Sequence, residues 1–228
     1  MQQTPGLGPG VCVSAAPAYT STMYSDMMSA ALPSSEACER NKEPILEALR
    51  TLLPDRGHVL EIGSGTGQHV VHFAPHWPRL SWQPTERREH LPGLNARIRL
   101  EGSANILPAI ELDVDGAWPD QRFAAVYSAN TAHIMSWTAV CAMFAGVGRR
   151  LAPSEVFCLY GPFKAAGAHT APSNAEFDRQ LQARDAAMGL RDIEALEALA
   201  RSNGLQLESR LELPANNQLL VFRGGAAE

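Results

Sequence analysis

Seven consecutive residues, Glu61-Ile62-Gly63-Ser64-Gly65-Thr66-Gly67, set three alternate glycines behind a carboxylate. An apolar run, His58-Val59-Leu60, precedes them, and a stretch with helical character, Gln68 to Ala74, follows. Strand, glycine turn and helix together bring a nucleotide-like ligand against backbone amides rather than side chains. Glycine makes the turn without a Cβ clash and lets a ligand lie against the main chain. The spacing selects the ligand. A dinucleotide fingerprint has glycines at relative positions one, three and six. Here they stand at one, three and five, and Gln68 holds the sixth.

The pattern E-x-G-x-G-x-G resembles the first motif of class I methyltransferases, which bind S-adenosylmethionine. That ligand has no pyrophosphate, but it carries an ammonium group that a carboxylate such as Glu61 attracts. The resemblance implies a cofactor site built from Glu61, Gly63, Ser64, Gly65, Thr66 and Gly67. Further members are expected at the carboxyl ends of successive strands, where open α/β sheets bind ligands. Glu86 lies about twenty residues beyond the turn, the distance at which an acidic group reaches a ribose. Its alternative is a solvated charge, since Arg87, Arg88 and Glu89 follow. Asp113 is placed to accept from an adenine amino group, and Val114 to pack on the ring. Asn130 would face the methionine part of the cofactor or the acceptor.

Methyl transfer is an in-line displacement in which the protein mainly positions the reactants and sometimes supplies a base. His133, after the fourth strand-like run, is the candidate general base, because an imidazole titrates near neutrality. Its alternative is a structural or stacking ring. Residues expected around the acceptor are Arg40, Asn41, His69, Tyr160, Arg191, Asn216 and Asn217. Arg40, Arg179 and Arg191 are the side chains suited to a substrate carboxylate, the alternative for each being a surface ion pair of small energetic value.

These residues need a scaffold. Glu43 to Leu53 reads as a helix, with Ile45, Leu46, Leu49, Leu52 and Leu53 on one stripe, Pro44 in its first turn and Pro54 beyond its end. Five strand-like runs follow: His58–Ile62, Leu80–Gln83, Ile110–Asp113, Ala124–Ser128 and Val156–Tyr160. Trp137 to Leu151 supplies a helix between the fourth and fifth. Strands alternating with helices indicate a parallel sheet with covering helices. Near the C-terminus, Asp192 caps a helix that Asn203-Gly204 closes. Leu205, Leu207, Ser209, Leu211 and Leu213 alternate along one expected strand face. Pro214-Ala215-Asn216-Asn217 then joins that strand to Leu219–Phe222 as an antiparallel pair. The expected architecture is α/β: a Rossmann-like, seven-stranded, mostly parallel sheet with an antiparallel C-terminal strand and helices on both faces.

Composition narrows the partners. The chain has 228 residues, 45% of them hydrophobic, which suits one α/β domain. A net charge of −5 with no basic run argues against nucleic acid as the main partner. Cys12, Cys38, Cys141 and Cys158 are far apart, so the expectation is free thiols in a reducing cytoplasm and no zinc site. No apolar run of transmembrane length occurs, and no membrane partner is expected. The first 28 residues do not read as a secretory signal. Residues 1–30 are read as a flexible tail or a pocket lid, and 31–228 as one S-adenosylmethionine-binding domain.

A narrower resemblance emerges from several motifs in order. Arg40-Asn41-Lys42-Glu43-Pro44-Ile45-Leu46, the glycine turn through Gln68-His69, Trp82-Gln83-Pro84, Tyr160-Gly161-Pro162-Phe163, Ser173-Asn174 with Phe177-Asp178, Gly189-Leu190-Arg191-Asp192 and Pro214-Ala215-Asn216-Asn217 together resemble the methyltransferase-like family catalogued as domain of unknown function 938. The chain departs from that family's pattern at Glu86, where Asp is more usual, and at Met188, where Trp is expected. The resemblance implies a class I fold and S-adenosylmethionine as cofactor. It leads to the expectation of a methyltransferase acting on a small-molecule acceptor through an O, N or S atom. The alternatives are a non-catalytic S-adenosylmethionine-binding scaffold and an enzyme using the fold for another reaction.

Overall fold

The computed structural model describes residues 32–151 and 153–225. The tail or lid expected at residues 1–30 lies outside them. In chain order the elements are α1 (Glu36–Leu49), β1 (Gly57–Ile62), α2 (Gln68–Phe73), β2 (Leu80–Glu86), α3 (Leu91–Glu101), β3 (Ile110–Glu111), β4 (Ala125–Ala129), α4 (Trp137–Arg150) and β5 (Val156–Gly161). A small hairpin of β6 (Lys164–Ala165) and β7 (Ala168–His169) follows. Then come α5 (Pro172–Arg184), α6 (Ile193–Arg201), β8 (Leu205–Leu213) and β9 (Asn217–Gly224).

Seven strands form one sheet in the order β3-β2-β1-β4-β5-β9-β8. The pairs from β3 through β5 are parallel, and β9 runs antiparallel to both β5 and β8. The order reverses between β1 and β4. Chain crossovers leave a crevice there, at the carboxyl ends of the strands.

Alternate residues along each central strand serve opposite cores. Leu60 and Val126 face α4 and α6, whose Phe144, Val147 and Leu196 cover them. Val59 and Ala125 face the other way, toward Ile45, Leu46 and Leu49 of α1 and Val70 and Phe73 of α2. Both sheet faces are therefore covered, and β4 and β5 are buried along nearly their whole length. Phe144, Phe157 and Phe222 tie one side together, with ring centroids 5.3–5.7 Å apart.

Two local expectations change. The first helix begins at Glu36 rather than Glu43, so Pro44 sits inside it and not in its first turn. Ser35 provides the start: its hydroxyl accepts from the Cys38 amide at 3.4 Å. Pro44 leaves the Arg40 carbonyl without its helical donor, an interruption the surrounding contacts outweigh. Along β8, the five alternating residues do not share one face. The ladder slips between Leu207 and Ser209. Leu207 packs with Phe222 on the α4 side, whereas Leu211 and Leu213 pack on the α1 side. A bulge inserts one residue and so reverses a pattern of period two.

Candidate active site

The glycine turn leaves β1 at the crevice. Gly63, Gly65 and Gly67 have φ of 69°, 54° and 79°, a left-handed region that side chains rarely adopt. Ser64 knits the turn to β2: its amide donates to the Thr85 carbonyl at 2.9 Å, and its hydroxyl accepts from the Thr85 amide at 3.2 Å. Gly65 has open space where a Cβ would stand. Its amide donates to a carboxylate oxygen of Glu86 at 2.7 Å. The Arg87 amide donates to the other oxygen at 2.9 Å. Glu86 is thus anchored to the turn at the tip of β2.

Two side chains brace the turn from behind. Arg97 of α3 donates to the Thr66 carbonyl at 2.7 Å and to the Pro33 carbonyl at 2.8 Å. The Gln68 side-chain carbonyl accepts from the Ser35 amide at 2.6 Å and from the Thr66 hydroxyl at 2.7 Å. These bonds hold the start of α1 against the turn.

A cavity of about 690 Å³ opens between these elements. Gly63, Ser64, Gly65, Thr66, Glu86, Asp113, Val114 and Asn130 all line it, as do His69 and His133. Asp113 accepts from the Asp115 amide at 3.2 Å, and Val114 is largely buried beside it. Asn130 adopts φ 58°, and its amide donates to the Tyr160 carbonyl at 2.9 Å.

Glu61 and Gly67 do not line the cavity. Gly67 lies beneath, where a Cβ would come within 2.7 Å of Leu94. Glu61 is 2% exposed, and its Oε2 has no hydrogen-bond partner among the described residues. Burial, opposed by a Ser64 hydrogen bond and aided by the charge of Glu86, pushes its carboxyl up to about 7. A buried carboxyl with a vacant acceptor beside a glycine turn suits a cationic ligand group.

His69 belongs to a buried polar network. Its Nε2 lies 2.7 Å from Asn41 Oδ1, and its Nδ1 lies 3.3 Å from the Tyr127 hydroxyl. Asn41 also hydrogen-bonds the Tyr160 hydroxyl. With Oδ1 accepting, Nε2 carries the hydrogen and Nδ1 accepts from Tyr127. Burial pushes the imidazole down to about 4, so it is neutral. Both ring nitrogens are engaged, which leaves no vacant basic nitrogen for proton transfer. Asn41 and Tyr160 act behind the wall rather than in it.

His133 follows β4 and is 6% exposed. Its ring meets Phe177 edge-on at 5.2 Å, and no described residue hydrogen-bonds either ring nitrogen. Its carbonyl accepts from the Gly189 amide at 2.9 Å. Burial, with help from the Arg191 charge, pushes the ring down to about 4, well below the neutral range that singled it out in the sequence. Arg191 does not face the cavity. It donates to the carbonyls of Ala132 (2.9 Å), Met135 and Ala187 (3.0 Å), pinning the loop that carries His133.

The remaining expected acceptor residues lie elsewhere. Arg40 pairs with Glu36 at 3.2 Å on an exposed helix face. The Asn216 side chain donates to the Ser173 hydroxyl at 3.1 Å, and its carbonyl accepts from Asn174 at 3.0 Å. Asn217 folds back on the Pro214 and Ala215 carbonyls at 3.2 and 3.3 Å. These two shape the β8–β9 turn around a separate hollow of about 370 Å³. Sequence reasoning did not single out Cys38, Ile134 or Phe177, which line the main cavity. Cys38 and Asn41 are three residues apart on one helical face, a signal hidden by starting the helix at Glu43. Among the described residues, no cluster of His, Cys, Asp or Glu is arranged to hold a metal ion, and no helix is long and apolar enough to cross a membrane.

A 3-2-1-4-5 parallel sheet closed by an antiparallel hairpin, with a glycine turn after β1 and an acid after β2, defines the Rossmann-like fold of class I methyltransferases. Known structures agree. An O-methyltransferase family protein from Burkholderia thailandensis superposes with a TM-score of 0.72 at 13% identity, over 91% of this chain and 61% of that one. Human N-acetylserotonin methyltransferase in complex with SAM gives 0.72 at 12% identity, over 91% and 57%. NcsB1, an O-methyltransferase from neocarzinostatin biosynthesis in complex with SAM and 2-hydroxy-5-methyl naphthoic acid, gives 0.68 at 14% identity, over 90% and 57%. The chain spans about six-tenths of the length of these proteins. Its own family is narrower: the family described as Protein of unknown function (DUF938) matches residues 32–224, and the chain belongs to it.

Proposed function

We propose that this protein is an S-adenosylmethionine-dependent methyltransferase acting on a small-molecule acceptor. The observation that carries the reading is the Gly65–Glu86 pair beside the cavity. A glycine with open space at its Cβ position and a carboxylate meet at the rim, joined amide to oxygen, with Asp113 and Val114 at the next strand end. Two similar folds are reported with SAM in their structures, which supports the same ligand class here.

Glu86 would accept from the ribose hydroxyls, a carboxylate having lone pairs for both. Asp113 would accept from the adenine amino group, with Val114 against the ring. Asn130 would meet the methionine part, and Glu61 would offset its ammonium. When bound, S-adenosylmethionine supplies an activated methyl on a sulfonium sulfur. The chain's own contribution is position, exclusion of water and a neutral imidazole at His133 to take a proton. His69 would hold the cavity wall, its two nitrogens already engaged.

Isothermal titration calorimetry with S-adenosylmethionine tests the premise, and release of S-adenosylhomocysteine across an acceptor panel tests transfer. Absence of cofactor binding would overturn the reading. Binding without release over a broad panel would favour a non-catalytic scaffold.

A further inference from the structure

Charge is distributed unevenly around the main cavity. The charged side chains lining it, Glu86, Arg87, Asp113 and Asp115, all stand at or just beyond the ends of β2 and β3. The parts contributed by α1, by the residues after β4 and by α5 carry none. There the lining is uncharged: Cys38, His133, Ile134 and Phe177 are joined by polar neighbours such as Asn130, Thr131 and Ser136.

Among the described residues Arg87 is the lining cation; it stands just after β2 and pairs with Glu89 at 3.0 Å. Cations on the elements that build the other wall have partners elsewhere. Arg191 spends its donors on three backbone carbonyls. Lys164 pairs with Asp178 at 3.3 Å. Arg179 is paired with Glu176, and Arg40 with Glu36. A carboxylate or phosphate entering here would lose its water and gain no ion-pair partner, a costly exchange. A neutral amine acceptor meets the opposite difficulty. Methylation would leave an ammonium on a wall that carries no carboxylate, the lining ones, Glu86, Asp113 and Asp115, standing across the cavity at the ends of β2 and β3.

We propose that the acceptor is an uncharged, ring-bearing molecule whose reacting atom is a weakly acidic O–H or S–H, seated between Phe177, Cys38 and Ile134 and presented to His133. The ring would pack on Phe177 and Ile134, as apolar walls favour. The protic group would point at a His133 ring nitrogen. As the new carbon–oxygen or carbon–sulfur bond forms, the methyl carbon–sulfonium bond breaks, the sulfonium becomes a neutral thioether, and the O–H or S–H proton passes to His133 and then to water. Burial, helped by the Arg191 charge, keeps His133 neutral, and that same positive field favours the negative charge developing on the acceptor atom. This inference rests on S-adenosylmethionine being the methyl donor.

A matched set of probes decides it: 2-naphthol, 2-naphthalenethiol, 2-naphthylamine and 2-naphthoate share a ring and differ in the group presented. Cofactor binding is first measured calorimetrically without acceptor. Equilibrium binding of each probe to the complex with S-adenosylhomocysteine, and methyl transfer with S-adenosylmethionine, are then compared. At a pH that keeps the thiol protonated, the naphthol or the thiol should bind at least about tenfold better than the carboxylate and react at least about tenfold faster than the amine, given what an uncompensated charge costs. Phe177→Leu should raise KM for the preferred probe, and Phe177→Ala should raise it further, with cofactor affinity unchanged. Preference for the carboxylate or amine, or failure of all four probes to bind a protein that binds cofactor, would overturn the acceptor class while leaving the cofactor reading intact. Failure in the first, acceptor-free measurement would instead overturn the cofactor reading, and this inference with it.

Discussion

Asn41 Oδ1 lies 2.7 Å from His69 Nε2, across 28 residues of sequence, in the buried space under the candidate active site. Asn41 comes from the first helix and His69 from the helix after the glycine turn, so one hydrogen bond locks the two together. It also fixes which imidazole nitrogen carries the hydrogen. Asn41→Ala should therefore cost about 1–3 kcal/mol, the usual penalty for leaving a buried donor unsatisfied. Asn41→Asp should act differently. A carboxylate there favours the imidazolium and should lift His69 from about 4 toward or above its ordinary value. Thermal unfolding reads the first effect and a histidine NMR titration reads the second. A His69 titration unmoved by the carboxylate would contradict the pairing.

His69 and His133 together should make the fold sensitive to acid. Both are held neutral, with pKa values near 4 against an ordinary 6.5. The unfolded chain binds more protons in that interval, so stability is full above about 6.5 and falls as pH drops toward 4. Each histidine accounts for on the order of 3 kcal/mol at the acid end. Urea unfolding between pH 4 and 7 should show this slope. His69→Gln and His133→Gln should each flatten it, and an unchanged slope in both would exclude these rings as its source.

Glu61 should behave with the opposite sign. Its carboxyl sits near 7 in the fold against an ordinary 4.5. The folded state holds the extra proton, so the contribution to stability is present below about 4.5 and lost as pH rises through 7. A cationic group on a bound cofactor would expel that proton. S-adenosylmethionine binding should release protons near pH 6.5 and tighten toward pH 7.5. Calorimetry in two buffers of different ionisation enthalpy measures the release, and Glu61→Gln should abolish it.

Glu86 tests the rim. Glu86→Ala should weaken cofactor binding by about 10- to 100-fold, the range expected for hydrogen bonds to a charged acceptor. Glu86→Asp keeps the carboxylate and should recover most of that loss. Equal affinities for all three proteins would remove Glu86 from the site.

How much of this was legible in the sequence depends on range. The glycine turn and the acids after β2 and β3 are local features of strand ends, and all but Glu61 and Gly67 line one cavity. Each can be placed by counting along a strand and a turn. The acceptor side is assembled from the first helix, the loop after β4 and α5, so its members meet only through the fold. Arg191 shows the difference. Its sequence context suits an anion, whereas its donors fold back on the Ala132, Met135 and Ala187 carbonyls. Backbone carbonyls have no sequence signature. The same holds for the β8 bulge, where one extra residue reverses a clean alternation without any glycine or proline to mark it.

Gly63 provides the strictest steric test of the turn. A Cβ added there would lie 2.6 Å from Thr131 Cγ2, and φ is 69°. Two separate costs follow. The left-handed conformation penalises any side chain by about 1 kcal/mol or more. The methyl contact forces either the turn or the β4 loop to move. Thr131 is itself held by Ser128, hydroxyl to hydroxyl at 2.7 Å, and Ser128 by the Ile62 carbonyl at 2.8 Å. Displacing it would disturb the loop that carries His133 as well as the turn. Gly63→Ala should therefore lower both thermal stability and cofactor affinity. Thr131→Ser removes the offending methyl and keeps the hydroxyl. Combined with Gly63→Ala, it should recover the steric part of the loss and leave the conformational part. A double-mutant cycle with no coupling would mean that the two residues do not meet as described.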